Sequence, residues 1–218
     1  MKVILAGPPR SGKSCLREGL KQAIKDTCRE RDIELYPYII TACPDGEGAW
    51  FQETVNLSPE AAAEAKAAYK AKFTPEFVKR VTDSVSNCLL PLVAVDIGGI
   101  TSVENEAICA STTHAILLCG TLDRLPEWRA FCAKQGEVVI SGKDAEGREA
   151  EYVFHKRPQA VLAEIWSDYH GTSDVVPQLG ADGIWRGSIH HLERGEKTAE
   201  RPTVRAIAEI LIKMALND

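Results

Sequence analysis

The chain opens on an unbroken apolar run, Val3-Ile4-Leu5-Ala6 after Lys2. Apolar residues without alternation, rich in β-branched types, predict a strand covered on both faces. Beyond residue 15 the period changes. Leu16, Leu20, Ala23, Ile24 and Cys28 recur at helical spacing, and Arg17, Glu18, Lys21, Gln22 and Lys25 fall on the opposite, polar face. A second strand is predicted over 34–42, centred on Tyr38-Ile39-Ile40. Two helix starts follow, Ser58-Pro59-Glu60 running to about 71 and Thr74-Pro75-Glu76 running to about 87. Each has a hydroxyl N-cap, proline in the first turn and a carboxylate near the positive helix end. Phe77, Val78, Val81, Val85 and Cys88 give the second a buried stripe. A third strand over 90–95 ends in Asp96-Ile97-Gly98-Gly99. After it come a helix over 104–110, a strand over 113–119, a helix over 126–134 and a fifth strand at Val138-Val139-Ile140.

Strands alternating with helices imply an α/β fold with a parallel sheet and helices on both faces. In such sheets ligands bind at the carboxyl ends of the strands. Past residue 141 the alternation weakens. A hairpin turns at 144–147 and ends at Phe154, and 161–166 reads as a strand or a short helix. A second hairpin turns at Gly180-Ala181-Asp182-Gly183, with Pro177 marking its first strand as an edge. A last helix starts at Pro202 with Val204, Ile207, Leu211 and Met214 facing inward. The expectation is one P-loop NTPase-like domain over 1–218, with a helical insertion near 58–88 and C-terminal hairpin additions.

Composition narrows the class. The length of 218 residues suits one α/β domain, and a net charge of −5 argues against a surface that coats nucleic acid. No run of about eighteen apolar residues exists, and the chain enters a strand at once, so neither a membrane span nor a signal peptide is expected. The seven cysteines form no Cys-x-x-Cys pair, are odd in number and sit mostly among apolar residues. That usage suits reduced thiols and a cytoplasmic location.

The chemistry starts between the first strand and the first helix. Gly7-Pro8-Pro9-Arg10-Ser11-Gly12-Lys13-Ser14 matches G-x-x-x-x-G-K-[ST] at every fixed position, in the order strand, loop, helix. Glycines let backbone amides curl around phosphates, Lys13 reaches the β- and γ-phosphates, and Ser14 offers its hydroxyl to Mg²⁺. The following helix aims free N–H groups at the same anion, and Cys15 completes the segment. Asp96, at the end of a buried strand, is the expected partner of Ser14 at the metal; the plainer alternative is an Asp opening a turn. Asp96-Ile97-Gly98-Gly99 has the D-x-x-G spacing of GTPases. Gly120-Thr121-Leu122-Asp123, however, lacks the lysine that guanine reading needs, so ATP is expected.

Two further regions are candidates. In Cys43-Pro44-Asp45-Gly46-Glu47-Gly48-Ala49-Trp50-Phe51, Asp45 or Glu47 could orient water, accept a substrate proton or contact the metal's water shell, and Trp50 could stack on a base or cover the site. A glycine-rich turn anchored by tryptophan is the plainer alternative. Lys66, Lys70, Lys72, Lys79 and Arg80 either close over a second substrate or form a solvated face. Arg186, Arg194 and Arg201 are candidates to neutralise phosphate charge, in cis or from a neighbouring subunit. His190 and His191, adjacent on a strand, point to opposite faces and are a poor zinc pair.

With these residues in hand, the chain resembles a P-loop, AAA-like ATPase domain that accompanies, and is often fused to, a small ring nuclease of type III CRISPR systems. The resemblance rests on the phosphate-loop segment, on Thr41-Ala42-Cys43-Pro44-Asp45-Gly46-Glu47-Gly48 and on Val95-Asp96-Ile97-Gly98-Gly99. It rests also on Ser167-Asp168-Tyr169-His170-Gly171 and His191-Leu192-Glu193-Arg194-Gly195. It implies nucleotide roles for Gly12, Lys13 and Ser14, a metal role for Asp96, and a nuclease partner that degrades cyclic oligoadenylates. It carries no nuclease residues onto this chain, and no AAA sensor or helical lid is legible. Three functions are therefore expected in turn: a Mg²⁺-dependent ATPase, a small-molecule or nucleotide kinase, and a nucleotide sensor without turnover.

Overall fold

The structure, a computed structural model, describes residues 1–43, 73–144, 146–193 and 195–217. Asp45, Glu47, Trp50, Lys66, Lys70, Lys72, Arg194 and the helix predicted from Ser58 lie outside the described residues.

The first apolar run forms β1 (Lys2–Ala6), and the helical pattern after the glycine loop forms α1 (Lys13–Glu30). β2 (Pro37–Thr41) is shorter than the predicted 34–42, since its ladder begins at Pro37, whose nitrogen cannot donate. α2 (Pro75–Asn87) starts where its cap predicts, with the Thr74 hydroxyl accepting from the Phe77 N–H at 3.2 Å. β3 (Leu92–Asp96) is buried along its whole length. α3 (Val103–Ile108), capped by Ser102, leads to β4 (His114–Cys119), and α4 (Leu125–Ala133) follows.

The central sheet has seven strands in the order β2-β3-β1-β4-β7-β9-β8. Its last members are β7 (Ala160–Asp168), β8 (Val175–Leu179) and β9 (Trp185–His190). All neighbours are parallel except β8, which runs antiparallel to β9 as an edge strand carrying Pro177. The segment left open between strand and helix is thus β7.

The expected fifth strand of the sheet is placed elsewhere. β5 (Gly136–Lys143) pairs only with β6 (Glu149–Lys156), in a separate antiparallel hairpin. The reason lies in its pattern: Val138 and Ile140 are buried while Glu137 and Val139 are exposed, which is the alternation of a strand covered on one face. β7, by contrast, is buried continuously from Leu162 to Ile165 and can enter the parallel sheet.

The pleat sends alternate residues of β1 to two cores. Val3 and Leu5 meet α1 and the final helix, α5 (Pro202–Asn217), through Leu16, Leu20, Val204, Ile207 and Leu211. Ile4 and Ala6 face α2, α3, α4 and the β5–β6 hairpin through Val78, Val85, Ile108, Trp128 and Phe131. Helices therefore cover both faces, and the loops at the carboxyl ends of β1, β3, β4 and β7 share one rim.

Candidate functional site

That rim encloses a cavity of about 750 Å³. It is lined by Pro9 to Cys15 from the loop and the start of α1, and by Asp96 to Ile100 beyond β3. Gly120 and Thr121 beyond β4, Trp166 to His170 at the end of β7 and Leu192 beyond β9 also line it, with Cys43, Phe73 and, at the start of α3, Ser102, Glu104 and Asn105.

The loop is built for close approach. Gly7 has φ 147°, and a Cβ there would stand 1.9 Å from the Leu118 carbonyl oxygen, so the turn out of β1 requires glycine. Gly12, at φ 82°, is the N-cap of α1; no side chain caps the helix, and its first turn holds no acidic residue. The free N–H groups of an eighteen-residue helix and its positive dipole end therefore point along the loop. The Ser11 hydroxyl is buried without a hydrogen-bond partner among the described residues. An orphaned donor beside open helix N–H groups is the electrostatic profile of an anion cradle.

The Lys13 ammonium folds back over this cradle, donating to the Gly7 carbonyl at 2.7 Å and the Pro8 carbonyl at 2.9 Å. Burial pushes its pKa below the ordinary lysine value, and Asp96 opposes that shift. Asp96 is 4% exposed, and burial pushes its carboxyl above the usual range against the pull of Arg17 and Lys13. The Asp96–Gly99 turn is fitted to the loop: a Cβ on Gly99 would lie 2.6 Å from the Pro9 nitrogen.

The helical pattern puts Arg17 on the polar face of α1, and the structure corrects that expectation. Its guanidinium donates to Asp96 Oδ2 at 3.0 Å and to the Thr41 hydroxyl at 3.3 Å, and its side chain is 14% exposed. A spacing of four places it one turn after Lys13 on the same side of α1. That spacing was the available signal.

The other candidates divide by place. Ser14 and Asp96 line this same cavity. Arg186 does not line it: its guanidinium bonds Glu164 at 2.9 Å and Asp182 at 2.6 Å, and Arg129 donates to both Glu164 oxygens. Arg201 is likewise absent from the lining and bonds Asp174 at 2.5 Å and the His190 carbonyl at 2.6 Å. Lys79 pairs with Asp83, and the Arg80 guanidinium lies over the Phe77 ring. His190 turns to Asp174 and His191 to the Tyr169 carbonyl, and no His/Cys/Asp/Glu group fit to hold a metal by itself occurs among the described residues. Of the lining residues, the Ser14 hydroxyl and the Asp96 carboxylate are oxygen donors of the kind that could hold Mg²⁺ together with phosphate and water oxygens. Cys119, beside Lys13, stays a neutral thiol because burial pushes its pKa to about 11.

Among the described residues no helix is long and apolar enough to cross a membrane. None of the protein-family models, curated proteins or solved structures compared with the chain matches it.

Proposed function

We propose that the chain is a P-loop NTPase-like, Mg²⁺-dependent module that binds and hydrolyses ATP. One observation carries the reading: Lys13, Ser14 and Asp96 line a single cavity at the carboxyl ends of two adjacent parallel strands, β1 and β3. In this reading the amides of Gly7 to Ser14 and the N-terminus of α1 hold the phosphates, and Lys13 leaves the Gly7 and Pro8 carbonyls to meet the β- and γ-oxygens. Ser14 and Asp96 hold Mg²⁺, which supplies charge neutralisation at the transferring phosphate when bound. Asp45 or Glu47 remains the proposed residue that orients the attacking water.

The experiment is steady-state phosphate release with Mg²⁺ and ATP. Lys13→Ala is expected to lower turnover by about 100-fold or more, and Asp96→Asn to abolish the Mg²⁺-dependent turnover. Unchanged turnover in Lys13→Ala would reject the assignment. Turnover lost in Asp96→Asn would also exclude a sensor that only holds nucleotide.

A kinase is the second reading, favoured by the extent of the cavity past Asp96 along Ile97 to Asn105, which leaves room beside the phosphates for an acceptor. Labelled ATP with a panel of nucleosides, nucleotides and metabolites separates the two, since faster transfer to an acceptor than to water selects the kinase. A ring-nuclease partner is proposed on the sequence resemblance alone.

A further inference from the structure

The end of β7 brings to the cavity an aromatic group that the phosphate chemistry does not use. Tyr169 lies on the turn after β7, lines the cavity and is 58% exposed. The His191 imidazole lies against its ring, with centroids 5.0 Å apart and planes tilted by 32°. His170 meets the same ring edge-on at 5.3 Å. More than half of Tyr169 thus stays open although two rings brace it. Close by, the Trp166 indole N–H donates to the Gly120 carbonyl at 3.2 Å, and its ring, 42% exposed, lines the cavity too.

The brace is preorganised. His191 adopts φ 42°, a left-handed conformation uncommon outside glycine. Its N–H donates to the Asp168 carbonyl at 2.9 Å, and its Nδ1–H to the Tyr169 carbonyl at 3.0 Å. The Asp168 side chain accepts from the His170 N–H at 3.2 Å, closing the turn. The next residue, Leu192, fills the space where a Cβ on Gly12 would stand. The aromatic group is therefore joined to the phosphate loop through adjacent residues of one segment.

We propose that Tyr169, backed by His191 and flanked by Trp166, is a stacking platform for the purine base of the nucleotide whose phosphates lie at Gly7 to Ser14. The inference rests on the phosphate-loop reading above. A broad aromatic face suits any purine, because stacking uses the π-surface and not the base edge. It thus supplies base affinity in a chain that lacks the guanine-reading lysine.

The test is calorimetric titration of wild type, Tyr169→Ala and Tyr169→Trp with ATP, inorganic triphosphate and adenosine, all with Mg²⁺. Tyr169→Ala is expected to weaken ATP about tenfold, or ~1.4 kcal/mol, while triphosphate affinity stays unchanged. Tyr169→Trp restores ATP binding, which a merely structural role for the tyrosine hydroxyl would not allow. Adenosine competes with ATP. Equal loss of ATP and triphosphate affinity in Tyr169→Ala, no loss of either, or adenosine binding alongside saturating ATP would overturn the platform. Failure of the phosphate reading looks different: wild type would bind adenosine through Tyr169 but not triphosphate, leaving the platform in place.

Discussion

Arg17 is the residue whose placement most changes the site. A buried carboxylate needs a compensating charge, and Arg17 with Lys13 supplies it in this structure. Arg17→Met leaves Asp96 with less compensation and is expected to cost about 3–5 kcal/mol of stability, the usual loss when one partner of a buried pair is removed. If Mg²⁺ and the guanidinium serve the same carboxylate, added Mg²⁺ raises the melting temperature of Arg17→Met more than that of wild type. Equal Mg²⁺ responses would show that the two do not share Asp96. The letters at Lys13, Ser14 and Asp96 could be read as a site because each has a fixed spacing or strand position. Arg17 could not be read so directly, since a helical wheel ranks it by polarity and the buried acceptor that turns it inward is 79 positions away.

At the scale of elements, the candidate site depends on how closely two turns approach. The Gly98-Gly99 pair read as a turn after a strand; the added fact is that Gly99 backs directly onto Pro9. Gly99→Ala puts a Cβ 2.6 Å from the Pro9 backbone nitrogen, which must move because neither partner is a flexible side chain. The expected result is a stability loss of about 1–3 kcal/mol and a nucleotide affinity reduced about tenfold or more, measured by thermal melts and calorimetry. Wild-type affinity in that variant would show that the loop tolerates displacement. Elements with strong local signals appear where expected: β1, α1, α2, β3, β4 and α5. The misplacement of β5 has a physical origin. A triplet of apolar residues looks the same in a parallel sheet and in a hairpin, and only the flanking exposure of Glu137 and Val139 separates them.

Across the whole molecule, the β5–β6 hairpin is held to the helical face by a buried cation. Lys156 is 3% exposed, and its ammonium donates to the backbone carbonyls of Cys132 and Lys134 at 3.4 and 3.0 Å and to the Gln159 side-chain oxygen at 2.8 Å, with the Phe131 ring 5.5 Å away. Burial lowers its pKa below 10.5, offset in part by Cys109, Cys132 and Glu106. The unfolded chain therefore binds more protons than the native one between the lowered value and 10.5, and stability from this group rises with pH across that window. Lys156→Met orphans two backbone carbonyls and the Gln159 side-chain oxygen, and is expected to cost about 1–3 kcal/mol. Denaturant melts from neutral pH to 10.5 should show the wild-type advantage widening as pH rises; a constant gap would mean that Lys156 keeps its ordinary pKa.

The sequence by itself determined the alternation of strands and helices, the phosphate-loop pattern and the strand-end aspartate, because those depend on neighbours within one element or one turn. The tertiary structure alone decided which strands share the sheet, that Arg17 meets Asp96, and that Tyr169 and Leu192 face the same cavity as Gly12. These are contacts between residues far apart in the chain. Packing sets them, through the close approach of backbones and the need of each buried charge for a partner.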